Sequence, residues 1–160
     1  MQTILNIKLP ATRYIDTNRP VADVVLSQKS AIAMNKNISF QMQLDDLSQF
    51  PLPDDEFVVV LANLLDNAIE ACELISNKDL RYILIKIQYS PAVTYLHVEN
   101  STATPVTIKN NHIVSHKKVT GHGYGLQNIR TILERHQSLY TLSYQEDDMI
   151  FCFSAQILPS

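Results

Sequence analysis

The chain has 160 residues, enough for one compact domain with a sizeable core and short for two. Its 46% hydrophobic and 18% charged residues exclude a disordered chain, and a net charge of −3 argues against a nucleic-acid module, which carries a basic face. No apolar run approaches the roughly 18 residues of a membrane span, and the start MQTILNIKLP lacks the basic-then-apolar pattern of a secretory signal.

Residues 1–17 are weakly patterned and read as a leader, or as the remnant of an upstream segment; residues 18–160 read as the domain. A first helix is predicted from about Asn18, which can cap it, with Pro20 in the first turn, ending near Asn35. The alternation of Ile38, Phe40 and Met42 predicts a strand. A second helix, over 54–76, opens on Pro53, Asp54 and Asp55, with acidic groups near the positive end of its dipole. Its apolar set, Phe57, Leu61, Leu64, Leu65, Ala68 and Cys72, has helical spacing. Two strands follow, one carrying Ile83, Ile85, Ile87 and Tyr89, the other Leu96 and Val98, with a tight antiparallel connection at Pro91-Ala92.

Residues 101–120 are polar with no sustained period, so a lid without secondary structure is expected. A third helix starts at the glycines, with Leu126, Ile129, Ile132 and Leu133 toward the core, and a hairpin around Glu146-Asp147-Asp148 closes the chain. This order predicts a two-layer α/β sandwich: a mixed, largely antiparallel sheet with about three helices on one face. Cys72 and Cys152 sit in separate apolar segments without ligand spacing, so buried reduced thiols are expected, and neither a disulfide nor a metal site.

Three features carry chemistry. All three glycines of the chain fall at Gly121, Gly123 and Gly125, directly before a helical pattern. Glycines there let the backbone approach a ligand, and the free N–H groups of the helix start attract phosphate oxygens; a plain hinge would use them equally well. The spacing is neither a P-loop nor an early dinucleotide fingerprint. On the second helix Asn63, Asn67 and Glu70 share one stripe opposite the core. Asparagine is a poor mid-helix residue, so two of them suggest oxygen ligands for Mg²⁺, or else a solvated polar face. Asn100 continues the inward set of Leu96 and Val98, and must find a partner in an adenine ring or a neighbouring backbone group.

The stretch LANLLDNAIEAC resembles the N box of the GHKL superfamily, named for gyrase, heat-shock-90 chaperones, histidine kinases and MutL, and GHGYGLQNIR resembles its G2 box. The likeness spans roughly residues 18–157 and is nearest to histidine kinases of peptide quorum sensing, of the accessory-gene-regulator and competence-receptor type. It implies a Bergerat-type ATP-binding domain using ATP and Mg²⁺. Asn67 would ligate Mg²⁺, and Asn63 would support the metal or the phosphates. Gly121, His122, Gly123, Tyr124, Gly125 and the helix start at Leu126 would hold the phosphates, with Asn128 on the Asn of the family's G-L-x-N-I. Lys117 or Lys118 on the lid would neutralise phosphate charge or simply solubilise the loop.

Two departures stand out. The family's Asp-x-Gly-x-Gly box is absent, and Asn100 occupies the Asp position, so an uncharged amide would meet the adenine amine and binding is expected to be weaker. Hydrolysing members carry a Glu four residues before the Mg²⁺ Asn; here that residue is Asn63, which cannot act as a base, so transfer to an external acceptor is favoured over hydrolysis. None of the five histidines lies on an upstream helical hairpin. The resemblance therefore implies a fragment that acts on a separate phospho-acceptor and dimerisation segment of the same kinase, with a response regulator downstream. It further implies a cytoplasmic domain of a membrane-anchored bacterial sensor, itself without nucleic-acid or membrane contact, and a monomer or weak dimer. The alternatives are a degenerate docking module or a stand-alone Ser-directed kinase.

Overall fold

The computed structural model describes residues 3–7, 14–114 and 124–159. Among them, a six-stranded sheet runs in the order β1 (Thr3–Ile7), β2 (Ser39–Leu44), β3 (Tyr82–Gln88), β4 (Thr94–Ser101), β8 (Ile150–Ile157), β7 (Leu139–Gln145). Only β2 and β3 pair in parallel; the other neighbours are antiparallel. Helices α1 (Pro20–Asn35), α2 (Asp54–Glu73) and α3 (Tyr124–Arg135) complete the predicted α/β sandwich, with α2 packed between the other two and over β4. A separate two-stranded hairpin is made of β5 (Thr107–Lys109) and β6 (His112–Val114).

The strands owe their burial to strict alternation. Phe40, Met42, Ile83, Ile85, Ile87, Leu96, Val98 and Phe153 all point to the helices and are no more than 2% exposed. The intervening Gln41, Gln43, Lys86, His97 and Glu99 lie on the open face and are half-buried. Helix α2 fills the centre with Phe57, Leu61, Leu64, Leu65, Ala68 and Cys72, the set its spacing predicts, all of them buried. Because α2 links the parallel pair β2 and β3, its place over the sheet is set by the crossover itself.

Two arginines tie the helix layer at opposite ends. Arg19 donates to the Phe50 and Leu52 carbonyls at 3.0 and 2.6 Å, pairs with Asp54 at 2.7 Å, and lies over the Phe57 ring. Arg81 donates to the carbonyls of Ile75 (2.9 Å), Lys36 (2.7 Å) and Glu73 (3.2 Å), so one guanidinium holds the ends of α1 and α2. At the other end of α2, Glu56 accepts from His136 and pairs with Arg135 at 3.2 Å, fastening the end of α3.

Four expectations need correction. Asn18 does not cap α1: it sits at φ 60° with its side chain on Asp46, and the cap position falls to Arg19, whose side chain makes no cap bond. Asp23, in the first turn, instead accepts from the Thr17 backbone and hydroxyl at 2.9 and 2.7 Å. Helix α2 stops at Glu73, short of residue 76, and Asn77 then starts a short 3₁₀ turn by accepting from the Asp79 N–H at 3.0 Å. Tyr89 falls just beyond β3, which ends at Gln88. The segment expected to be an unstructured lid holds the last residue of β4 and the β5–β6 hairpin; its remainder, residues 115–120, lies outside the described residues. Both cysteines are buried free thiols, as expected.

Candidate functional site

A cavity of about 400 Å³ opens between α2 and α3 over the β4–β8–β7 part of the sheet. Val98, Leu142, Phe151 and Phe153 form its apolar floor, Leu64, Asn67 and Ala71 of α2 one wall, and Leu126, Gln127 and Arg130 of α3 the other. The β5–β6 hairpin closes a third side with Asn111, His112 and Ile113. The volume and the mostly apolar lining with a few convergent polar groups suit a ring-bearing small molecule.

The two sequence motifs meet beside this cavity. A Cβ placed on Gly125 would lie 3.3 Å from Asn63 Oδ1, 3.3 Å from Asn67 Nδ2 and 3.4 Å from Asn67 Oδ1. The first turn of α3 is therefore seated directly on the asparagine stripe of α2, and the missing side chain is what permits the approach. Asn63 is anchored by donating from Nδ2 to the Val59 carbonyl at 2.8 Å, a bond to the preceding turn that leaves its Oδ1 toward Gly125. Asn67 is exposed and lines the cavity.

Asn100 faces inward as its strand period requires. It is 4% exposed, lines the cavity, and donates from Nδ2 to the Ser101 carbonyl at 3.0 Å. The backbone alternative for its partner is thus realised on the amide side, and its Oδ1 makes no bond to the protein among the described residues. Leu126 packs half-buried against the core and lines the cavity; Asn128 is exposed on α3 and lies away from it. Lys117, Lys118, Gly121, His122 and Gly123 lie outside the described residues, and of Tyr124 only its place at the start of α3 is described.

The structure adds residues that sequence reading missed. Arg130 is the one permanently charged side chain among the described cavity-lining residues, and it donates to His112 Nε2 at 3.0 Å and to Glu134 at 2.8 Å. Asn111 donates to the Tyr140 carbonyl at 2.9 Å and accepts from the Leu142 N–H at 2.7 Å. One carboxamide thereby replaces a missing strand at the edge of β7 and pins the hairpin over the cavity. A signal for this was present in the sequence: Asn110-Asn111 between TIK and HIV is a two-residue hairpin turn, and both residues take positive φ (51° and 58°).

The three helices over a mixed, mostly antiparallel sheet form an α/β sandwich with the fold of histidine-kinase catalytic domains. Residues 55–157 match the family model of the GHKL domain, and the chain belongs to that family. No sequence among curated proteins matches the chain. Solved structures share its fold at low identity. The catalytic domain of the histidine kinase ThkA, in a nucleotide-free form, is 20% identical with a TM-score of 0.63, over 99% of this chain and 97% of that one. The mycobacterial sensor histidine kinase MprB is 15% identical with a TM-score of 0.62, over 90% of this chain and 96% of that one. The Acinetobacter baumannii histidine kinase AdeS is 14% identical with a TM-score of 0.53, over 99% of this chain and 67% of that one.

Proposed function

We propose that the chain is the ATP-binding catalytic domain of a sensor histidine kinase, transferring the γ-phosphoryl group to a histidine on a separate segment. The observation that carries this reading is the contact of Gly125 with Asn63 and Asn67 beside a ligand-sized cavity backed by Asn100. Asn67 would hold Mg²⁺ through its carboxamide oxygen with Asn63 in support, and the start of α3 would take the phosphates on its free N–H groups. Lys117 and Lys118 would neutralise phosphate charge. Asn100 Oδ1 would accept from the adenine amine. Mg²⁺ held there would supply charge neutralisation, and the chain's own residues would position the phosphates.

Asn63 stands where hydrolysing members carry a carboxylate and cannot itself act as the base that activates water, which favours transfer over hydrolysis. Among the described histidines, His97 lies on the open sheet face, His112 pairs with Arg130 and His136 is bound to Glu56, so none is presented as an acceptor. The nearest functional relatives would be the peptide quorum-sensing kinases, acting in the cytoplasm upstream of a response regulator.

Calorimetric titration with ATP, with and without Mg²⁺, tests the reading. Mg²⁺-dependent binding that is lost in a folded Asn67→Asp variant supports it; silence of the unaltered chain at millimolar ATP favours a docking module instead. Acid-labile phosphate on the chain after incubation alone with labelled ATP would overturn the need for a separate acceptor.

A further inference from the structure

The open face of the sheet carries a second constellation that plays no part in the cavity. His97 and Glu99 alternate along β4 and so point to the same side. Cys152 of β8 stands directly opposite Glu99 in the register, and Ser154 directly opposite His97. The ligand atoms of His97, Glu99 and Cys152 all lie within 4.8 Å of one another. Cys152 lies 53 positions from Glu99 and further still from His97, so sequence spacing could not reveal the group, and the expectation that the cysteines bind no metal was drawn from local sequence only.

We propose that His97, Glu99 and Cys152 form a three-ligand site for a zinc-class divalent cation, with a fourth position open to water. The donor set of one imidazole nitrogen, one carboxylate oxygen and one sulfur is what a borderline-soft d¹⁰ cation selects over Mg²⁺. The spacing fits as well. Bonds of about 2.0–2.3 Å in a tetrahedron place ligand atoms roughly 3.3–3.8 Å apart. His97 Nε2 to Glu99 Oε2 is 3.2 Å and Cys152 Sγ to Glu99 Oε2 is 3.7 Å, so two of the three edges already stand near that length.

Two of the three ligands are also held from behind. His97 Nδ1 bonds Ser154 Oγ at 2.8 Å, which orients the ring so that Nε2 faces the site. Tyr82 donates its hydroxyl to Glu99 Oε1 at 3.0 Å, leaving Oε2 as the ligand atom. Outer partners of this kind fix ligand direction in metal centres. The ligands sit on strands flanked by β3 and β7, away from both sheet edges, and Cys152 is 3% exposed.

A nucleophilic role for the thiol fits less well. Its hydrogen bond goes to Glu99, the imidazole faces Glu99 and Ser154, and burial with the adjacent carboxylate pushes the thiol up to about 11. On binding the cation, the imidazole coordinates through Nε2 with its proton on Nδ1, and the thiol releases one proton to solvent as the metal–sulfur bond forms. The proposal stands independently of nucleotide binding, because these side chains lie on the face of β4 opposite the cavity.

The test is Co²⁺ titration of the full chain, read by absorbance, followed by competition with Zn²⁺. One equivalent of Co²⁺ should give a near-ultraviolet thiolate-to-metal charge-transfer band that Zn²⁺ abolishes and Mg²⁺ does not. Cys152→Ser should lose the band, and Cys72→Ser should keep it. Tyr82→Phe, which leaves all three ligands in place, should keep the band with affinity weakened about tenfold or more. No band at one equivalent in the unaltered chain overturns the proposal. So does a band that survives in Cys152→Ser, or metal uptake that His97→Gln and Glu99→Gln variants leave unchanged, which marks adventitious surface binding only.

Discussion

Replacing Gly125 with Ala probes the junction between the two motifs more directly than replacing either asparagine. The new methyl would meet three carboxamide atoms at 3.3–3.4 Å, tighter than most carbon contacts, so the asparagines must give by a few tenths of an ångström. Asn63 yields poorly because its Nδ2 is fastened to the Val59 carbonyl; Asn67, exposed, swings away more easily. The helix gains about 0.5–1 kcal/mol from Ala over Gly, while overpacking costs about 1–3 kcal/mol. The net expectation is a loss of about 1 kcal/mol, or a melting temperature about 2–4 °C lower in a chain of this length. Binding should suffer more than stability. A displaced Asn67 oxygen is expected to weaken Mg-ATP about tenfold, roughly 1.4 kcal/mol, with a much smaller effect on ATP measured in a chelator. Calorimetry and thermal denaturation on the same preparation give both quantities. A variant that binds Mg-ATP within about twofold of the parent would refute the reasoning; so would one weakened equally with and without Mg²⁺.

Two further outcomes follow from the framework around the site. Arg81→Lys removes the planar fork that reaches three carbonyls and should cost about 1–3 kcal/mol in urea denaturation; a loss below about 0.5 kcal/mol would mean that the helix ends are held by packing alone. The thiol of Cys152, pushed up to about 11 by burial and then by Glu99, ionises in the unfolded chain near about 8.5. The folded state therefore keeps a proton that the unfolded state loses. The associated stability is fully present below about pH 8.5 and is lost as pH rises toward about 11. Burial raises the Cys72 thiol and the Tyr82 hydroxyl in the same direction. Urea midpoints collected from pH 8 to 11 in a chelator should fall for the parent and fall less steeply for Cys152→Ser; identical slopes would show that this thiol is not the titrating group.

Local pattern carried most of the framework. The apolar stripe of α2, the alternation of β2, β3 and β4, and the closing hairpin were readable because each is set by neighbours within a few residues. The asparagine stripe and Gly125 stood out too, as departures from what a helix or a loop needs. What escaped depends on pairing at a distance. Strand β1 is defined by its partner β2 more than thirty residues on, and Arg130 meets His112 only after the hairpin folds over α3. The hairpin hid behind strands of three residues, too short for any period to register, although its Asn-Asn turn was in view. Asn18 misled for a related reason: an N-cap residue type beside Pro20 is persuasive, yet the Asp46 carboxylate offered the side chain a better partner.

Strand β4 has a parity as well as a sequence. Asn100 turns to the cavity and Glu99, one step earlier, to the imidazole and thiol on the other side. Inserting or deleting one residue within the strand would put a carboxylate against Phe151 and Phe153 and send the amide outside, whereas a change of two would restore the phase. Kindred domains that vary in length here are expected to do so by even steps, or to absorb an odd residue in a bulge before Asn100. A graft of this pocket onto another sheet must carry over that odd–even phase along with the residues.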